Sequence, residues 1–76
     1  MNLDDQEFLR LLGSRIREVR EKKGWTQAEL AEKCQLHRTF IGSVERGERN
    51  LSLLNLRLIA RNLRISLSTL FSSGPI

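Results

Sequence analysis

The stretch TQAELAEKCQLHRTFIGSVERG, residues 26–47, decides the fold. Thr26 followed three residues later by Glu29 is a capping box, and Trp25 against Leu30 is a matching hydrophobic staple. The spacing therefore predicts a helix over Gln27–Cys34, with Leu30, Ala31 and Cys34 turned inward. A turn near Gln35 and Leu36 should follow, then a third helix from about Arg38 to Glu45 with Ile41 and Val44 inward. Phe40 either joins that inward stripe or reaches outward. Gly47 ends the unit.

Upstream, Phe8, Leu12, Ile16 and Val19 recur at helical spacing and define one face of a first helix over about Asp5–Lys23. Asp4 and Asp5 suit its positive end, Lys22 and Lys23 its negative end, and Gly24 stops it. Downstream, Asn50 or Ser52 caps a fourth helix ending near Asn62, with Leu53, Leu56, Ile59, Ala60 and Leu63 as its apolar members. Ser66 or Ser68 caps a short fifth helix carrying Leu67, Leu70 and Phe71, and SSGPI reads as a frayed end. The expected fold class is all-α, a five-helix domain spanning 1–76 with its core over 5–71 and its helix-turn-helix over about 26–45. No internal repeat or linker is visible.

Size and composition set the bounds. A chain of 76 residues holds one domain. A core so thin buries only roughly 60% of the unfolded surface, which makes a partner subunit a natural gain. The formal charge of +4 favours a polyanion without naming it. Residues 51–76 hold Arg57, Arg61 and Arg64 and no acids; residues 26–50 hold four bases and four acids, so attraction there must come from arrangement. The single cysteine, Cys34, excludes an internal disulfide and a multi-thiolate metal site within one chain. No apolar run approaches the ~20 residues of a membrane span, and the acidic start MNLDD lacks a signal peptide's basic opening, so a cytoplasmic location is expected.

The quoted stretch resembles the helix-turn-helix of phage repressors of the lambda and 434 type. The resemblance is carried by Thr26-Gln27, Leu30-Ala31, Leu36, Ile41 and Glu45-Arg46-Gly47, and it extends over about Gly13–Phe71. The string LHRTFIGSVERGERNLSLLNL is similar to the controller proteins of restriction-modification systems, which are small homodimeric regulators. In many family members a glycine stands where this chain has Gln35; an αL backbone is less comfortable for glutamine.

The resemblance implies a protein that lays its third helix in the major groove of double-stranded DNA, where base edges present distinct donors and acceptors. It places DNA-contacting residues at Arg38, Thr39 and Ser43. Arginine pairs bidentately with guanine, and the alternative for Arg38 is a phosphate contact or a solvated side chain. Thr39 either meets thymine through its methyl, meets phosphate through its hydroxyl, or merely covers the helix. Ser43, like Gly42, either faces the groove or permits close approach. Gln27 matches a family glutamine that donates to phosphate. His37 caps the helix or touches the DNA backbone, and Phe40 is a further backbone candidate. Arg15, Arg17, Arg46 and Arg49 are phosphate candidates, the last two ahead because they come after the third helix. Arg20 and Glu45 match a family ion pair joining the first and third helices, and Cys34 aligns with an apolar core position.

The family pairs through the region around the loop before the fourth helix and the fifth helix. That assigns Leu54, Ser66, Leu67, Leu70 and Phe71 to a homodimer surface; the alternative is that these leucines are core. Glu and Arg residues near the end of the third helix offer a surface to RNA polymerase, again by resemblance. No phosphate loop, paired carboxylates or nucleophile-base set is present, so no enzyme, cofactor or metal is expected. The competing functions are a phage-type repressor, a DNA-binding antitoxin, and a protein-interaction module on the same fold without DNA.

Overall fold

Gly24 takes φ +75°, and there the first helix stops. The computed structural model describes residues 3–72 and, among them, five helices and no strand. They are α1 (Leu3–Lys22), α2 (Gln27–Cys34), α3 (Arg38–Glu45), α4 (Leu53–Leu63) and α5 (Leu67–Phe71). Of the expected frayed end, all but Ser72 lies outside the described residues.

From α2 onward, each helix start is fixed by a polar capping side chain. Thr26 and Glu29 close the capping box at 3.0 and 2.9 Å. Ser52, rather than Asn50, caps α4, and Ser66, rather than Ser68, caps α5. Trp25 packs on the core that holds Leu30, with the ammonium groups of Lys23 and Lys33 at 5.4 and 4.6 Å from its ring centre.

The core gathers one stripe from every helix. Ile16, Leu30, Cys34, Ile41, Ile59 and Leu63 are its most enclosed side chains. Burial pushes the Cys34 thiol pKa up, so the group stays a neutral thiol, as a small apolar core residue should. Gly13 lets α1 lie directly on the end of α3: a Cβ there would sit 2.2 Å from the Val44 carbonyl oxygen. That close approach fixes α3 against the rest of the domain.

One apolar expectation fails near a helix start, and one apolar residue lies outside the core at another. Phe8 is 53% exposed, because the first turns of α1 overhang the core and contain no buried residue. Its ring stacks instead on Phe71 of α5, centroids 5.9 Å apart. Leu53 is 72% exposed: it opens α4 one turn before Leu56, where the buried stripe begins.

One joint occurs twice in the structure, a repetition that the residue patterns do not announce. After α2, Gln35 takes φ 56°, ψ 39°; after α4, Arg64 takes φ 57°, ψ 44°. In both, the next residue's N–H reaches back to an alanine carbonyl, Leu36 to Ala31 at 2.9 Å and Ile65 to Ala60 at 3.1 Å. Leu36 and Ile65 then pack on the core, and a capping side chain starts the next helix.

Candidate nucleic-acid interface

One buried ion pair sets the relation of α1, α2 and α3. Arg20 donates from Nε and Nη2 to the two carboxylate oxygens of Glu45, at 2.7 and 2.9 Å. The Arg20 side chain is 9% exposed and that of Glu45 2%. Arg20 also donates to the Trp25 carbonyl at 2.7 Å, which ties down the chain entering α2. Hydrogen bonding to Glu45 raises the Arg20 pKa against the opposing effect of burial, so the guanidinium stays charged. The expected ion pair is therefore present, bidentate and enclosed.

The same carboxylate holds a third residue. Gln27 Nε2 donates to Glu45 Oε1 at 3.0 Å, from the first position of α2. Sequence spacing gives no sign of this contact, because the partners are eighteen residues apart on different helices. Gln27, Arg38, Thr39, Gly42 and Arg46 line one cleft between the start of α2 and the outer face of α3. The Arg38 side chain is exposed and makes no hydrogen bond or ion pair among the described residues.

The other candidates are already engaged. His37 caps α3: its Nδ1 accepts from the Thr39 N–H at 3.1 Å and lies 2.7 Å from the Thr39 hydroxyl. Ser43 donates its hydroxyl to the Phe40 carbonyl at 2.8 Å and accepts from Arg49 Nε at 3.2 Å. The Arg49 guanidinium lies 5.1 Å from the centre of the Phe40 ring, which itself packs on the core. Phe40, Ser43 and Arg49 thus form one unit. Arg46 pairs with Glu48 at 3.1 Å, an exposed contact. Arg17 pairs with Glu21 along α1 at 3.3 Å and borders a groove shared with Arg46 and Glu45.

Arg15 donates from its guanidinium to the Ser72 carbonyl and lines a groove with Phe8, Leu11 and Phe71, which ties α1 to the end of α5. Leu70 is a correction to the homodimer surface: at 2% exposure it belongs to the core, held between α1 and α4 by the short α5. Leu67 is half-buried against that core, while Leu54 and Phe71 are 72% and 51% exposed. Ser66 is exposed, its hydroxyl accepting from the Thr69 N–H at 3.1 Å.

Two helices joined through an αL residue, the second with an outward polar face, form the arrangement that reads a major groove. Residues 16–70 match the family model described as helix-turn-helix. The chain belongs to the helix-turn-helix family. Among relatives, this helix-turn-helix chain is 43% identical over 56 residues to the control protein C.BamHI of Bacillus amyloliquefaciens, covering 72% of this chain and 69% of that one. Its structure resembles that of the restriction-modification controller protein C.AhdI from Aeromonas hydrophila, with a TM-score of 0.80, 44% identity, and 83% and 96% of the two chains covered. It also resembles the controller protein C.Esp1396I, solved as a tetramer with its natural 35 base-pair operator: TM-score 0.77, 39% identity, 84% of each chain covered.

Among the described residues no cluster of His, Cys, Asp and Glu is arranged to hold a metal ion, and no helix is long and apolar enough to cross a membrane.

Proposed function

We propose that this chain is a sequence-specific, double-stranded DNA-binding transcriptional regulator of the restriction-modification controller kind. The observation that carries the reading is Arg38. It stands first on a helix clamped to α1 and α2, exposed and with no partner among the described residues. A charged fork held on a rigid element, with nothing of its own to bind, suits bidentate recognition of guanine. The relative solved on its operator supports the same use of the fold.

Around Arg38, Thr39 offers a second base contact, and Ser43 joins through Arg49. Gln27, His37, Arg46, Arg49 and Arg17 supply the DNA backbone contacts that fix register. A homodimer forms through Leu54 and Phe71, with Leu67 and Ser66 at its margin. Twofold symmetry then sets two copies of α3 about 34 Å apart, on a partly palindromic site. Glu48, just past the end of α3, faces RNA polymerase when the regulator is bound upstream of a promoter. Such a regulator works in the cytoplasm, where its DNA is.

The test is selection from a randomised duplex library at moderate salt. A partly palindromic motif with half-sites about one helical turn apart is the expected result. No enrichment by the folded protein would overturn the sequence-specific reading. The absence of any salt-sensitive duplex binding would overturn DNA binding altogether.

A further inference from the structure

The geometry points to Gly42 as a positioning residue for the DNA backbone contacts of Gln27 and Arg46, acting by leaving open the cleft in which both side chains lie. The inference rests on the proposed DNA binding and adds to it a residue with no side chain of its own.

Residues 38 and 42 fall on one face of α3, and Arg46, its C-cap, follows at the same four-residue interval, so Gly42 lies between two arginines. All three line the cleft together with Gln27 and Thr39. The backbone does not require glycine here: the positive-φ glycines are Gly24 and Gly47, and Gly42 is helical. Alanine would favour the helix more. The reason for glycine is therefore space. A Cβ at this position would lie 3.2 Å from Arg46 Nη1 and 3.4 Å from Gln27 Oε1.

The two neighbours respond differently to crowding. Gln27 is held by Glu45 at 3.0 Å, and Glu45 is clamped by Arg20, so the glutamine cannot yield without loosening a buried network. Arg46 is exposed and yields easily, but only by leaving the cleft, on the side where Glu48 already holds its Nε at 3.1 Å. A side chain growing from position 42 therefore expels Arg46 first and presses on Gln27 second. Gly13 is the instructive contrast. Its missing Cβ makes room for backbone, the Val44 and Glu45 carbonyl oxygens, and so serves packing alone. Gly42 makes room for two polar side chains, both on the proposed DNA face.

The experiment compares wild type, Gly42→Ala and Gly42→Gln on the duplex that wild type selects. Affinity is measured across a salt series, and thermal melts are run beside it. Gly42→Ala should melt at or above the wild-type temperature, since alanine is the better helix former and its Cβ needs Arg46 to give only slightly, and it should bind nearly as wild type. Gly42→Gln, which presses on Gln27 as well, should melt no higher than wild type and should bind more weakly by roughly tenfold, the scale of one charge-assisted hydrogen bond. Its plot of log K against log salt should be shallower by about 0.9 for each phosphate the protein ceases to neutralise. In an Arg46→Ala background the added weakening from Gly42→Gln should shrink, because the displaced group is already gone. Wild-type affinity and slope in Gly42→Gln would overturn the inference while leaving the DNA-binding reading intact. So would an equal weakening with and without Arg46, which would point to a clash with the DNA itself. A wild type that selects no duplex would remove the DNA-binding reading, and this inference with it.

Discussion

The joint between α2 and α3 and the joint between α4 and α5 are nearly the same piece of backbone. Each runs alanine, three helical residues, an αL residue, a core-facing aliphatic and a cap: Ala31 to His37 in one, Ala60 to Ser66 in the other. Their αL torsions agree within a few degrees. The helices they lead into differ. After His37 come Arg38 and Thr39, outward on a helix of eight residues. After Ser66 come Leu67 and then Leu70, turned to the core on a helix of five. The turn is thus only a joint. Whether the helix beyond it presents a polar outer face or closes over the core depends on the side chains it carries, and on what clamps it.

The clamp is the larger of these differences, and breaking it should have the largest effect. Among the described residues, only the first joint has a buried ion pair behind it. Glu45→Ala leaves Arg20 enclosed and uncompensated, which should cost about 3–5 kcal/mol in urea unfolding. A loss below about 1 kcal/mol would mean the pair behaves as a surface one, and the contrast between the joints would weaken.

The joints themselves should respond alike. Gln35→Gly and Arg64→Gly each relieve an αL strain at a non-glycine residue, and each should stabilise the fold by about 0.5–1 kcal/mol. Equal gains in thermal melts would sharpen the view that the two turns are one device used twice. A loss at either site would show that its side chain makes a contact the other lacks.

Acid should separate the caps by a smaller effect. Glu29 closes the box at the start of α2, and its hydrogen bonds with Thr26 lower its pKa below the ordinary 4.5. A depressed folded value means stability that is full above the unfolded pKa and lost as pH falls through the folded one. The cap of α5 is made of Ser66 and Thr69 hydroxyls and does not titrate. Hydrogen exchange from about pH 5 downward should therefore rise first at the start of α2 beyond its intrinsic rate, and not at Thr69. Equal change at both would remove the role given to Glu29.

Much of the fold is legible in the sequence because it is written locally. The capping box at Thr26, helical periodicity and the stopping glycines at 24 and 47 each need only a few neighbouring residues, and α2 and α3 appear with the bounds they predict. Phe8 departs from expectation because periodicity says which residues share a face, but not whether another helix covers that part of it. Leu70, placed on the homodimer surface by resemblance, lies in the core because α1 and α4 cover it. The site is legible to the same depth. The His37 cap can be named from sequence as one of two readings, and the Arg20–Glu45 pair by resemblance. The Gln27–Glu45 bond, the Phe40–Ser43–Arg49 unit and the turning of Arg15 to Ser72 depend on separations across the fold that no local pattern records.

The proposal that α3 reads bases through Arg38 is tested by measuring wild type and Arg38→Ala on the selected duplex and on its single-base variants, at one salt concentration. A loss of roughly 1–3 kcal/mol on the selected duplex is expected, with discrimination erased at one position of each half-site and kept at the others. An equal loss on every sequence would make Arg38 a phosphate contact, and no loss would contradict the claim outright.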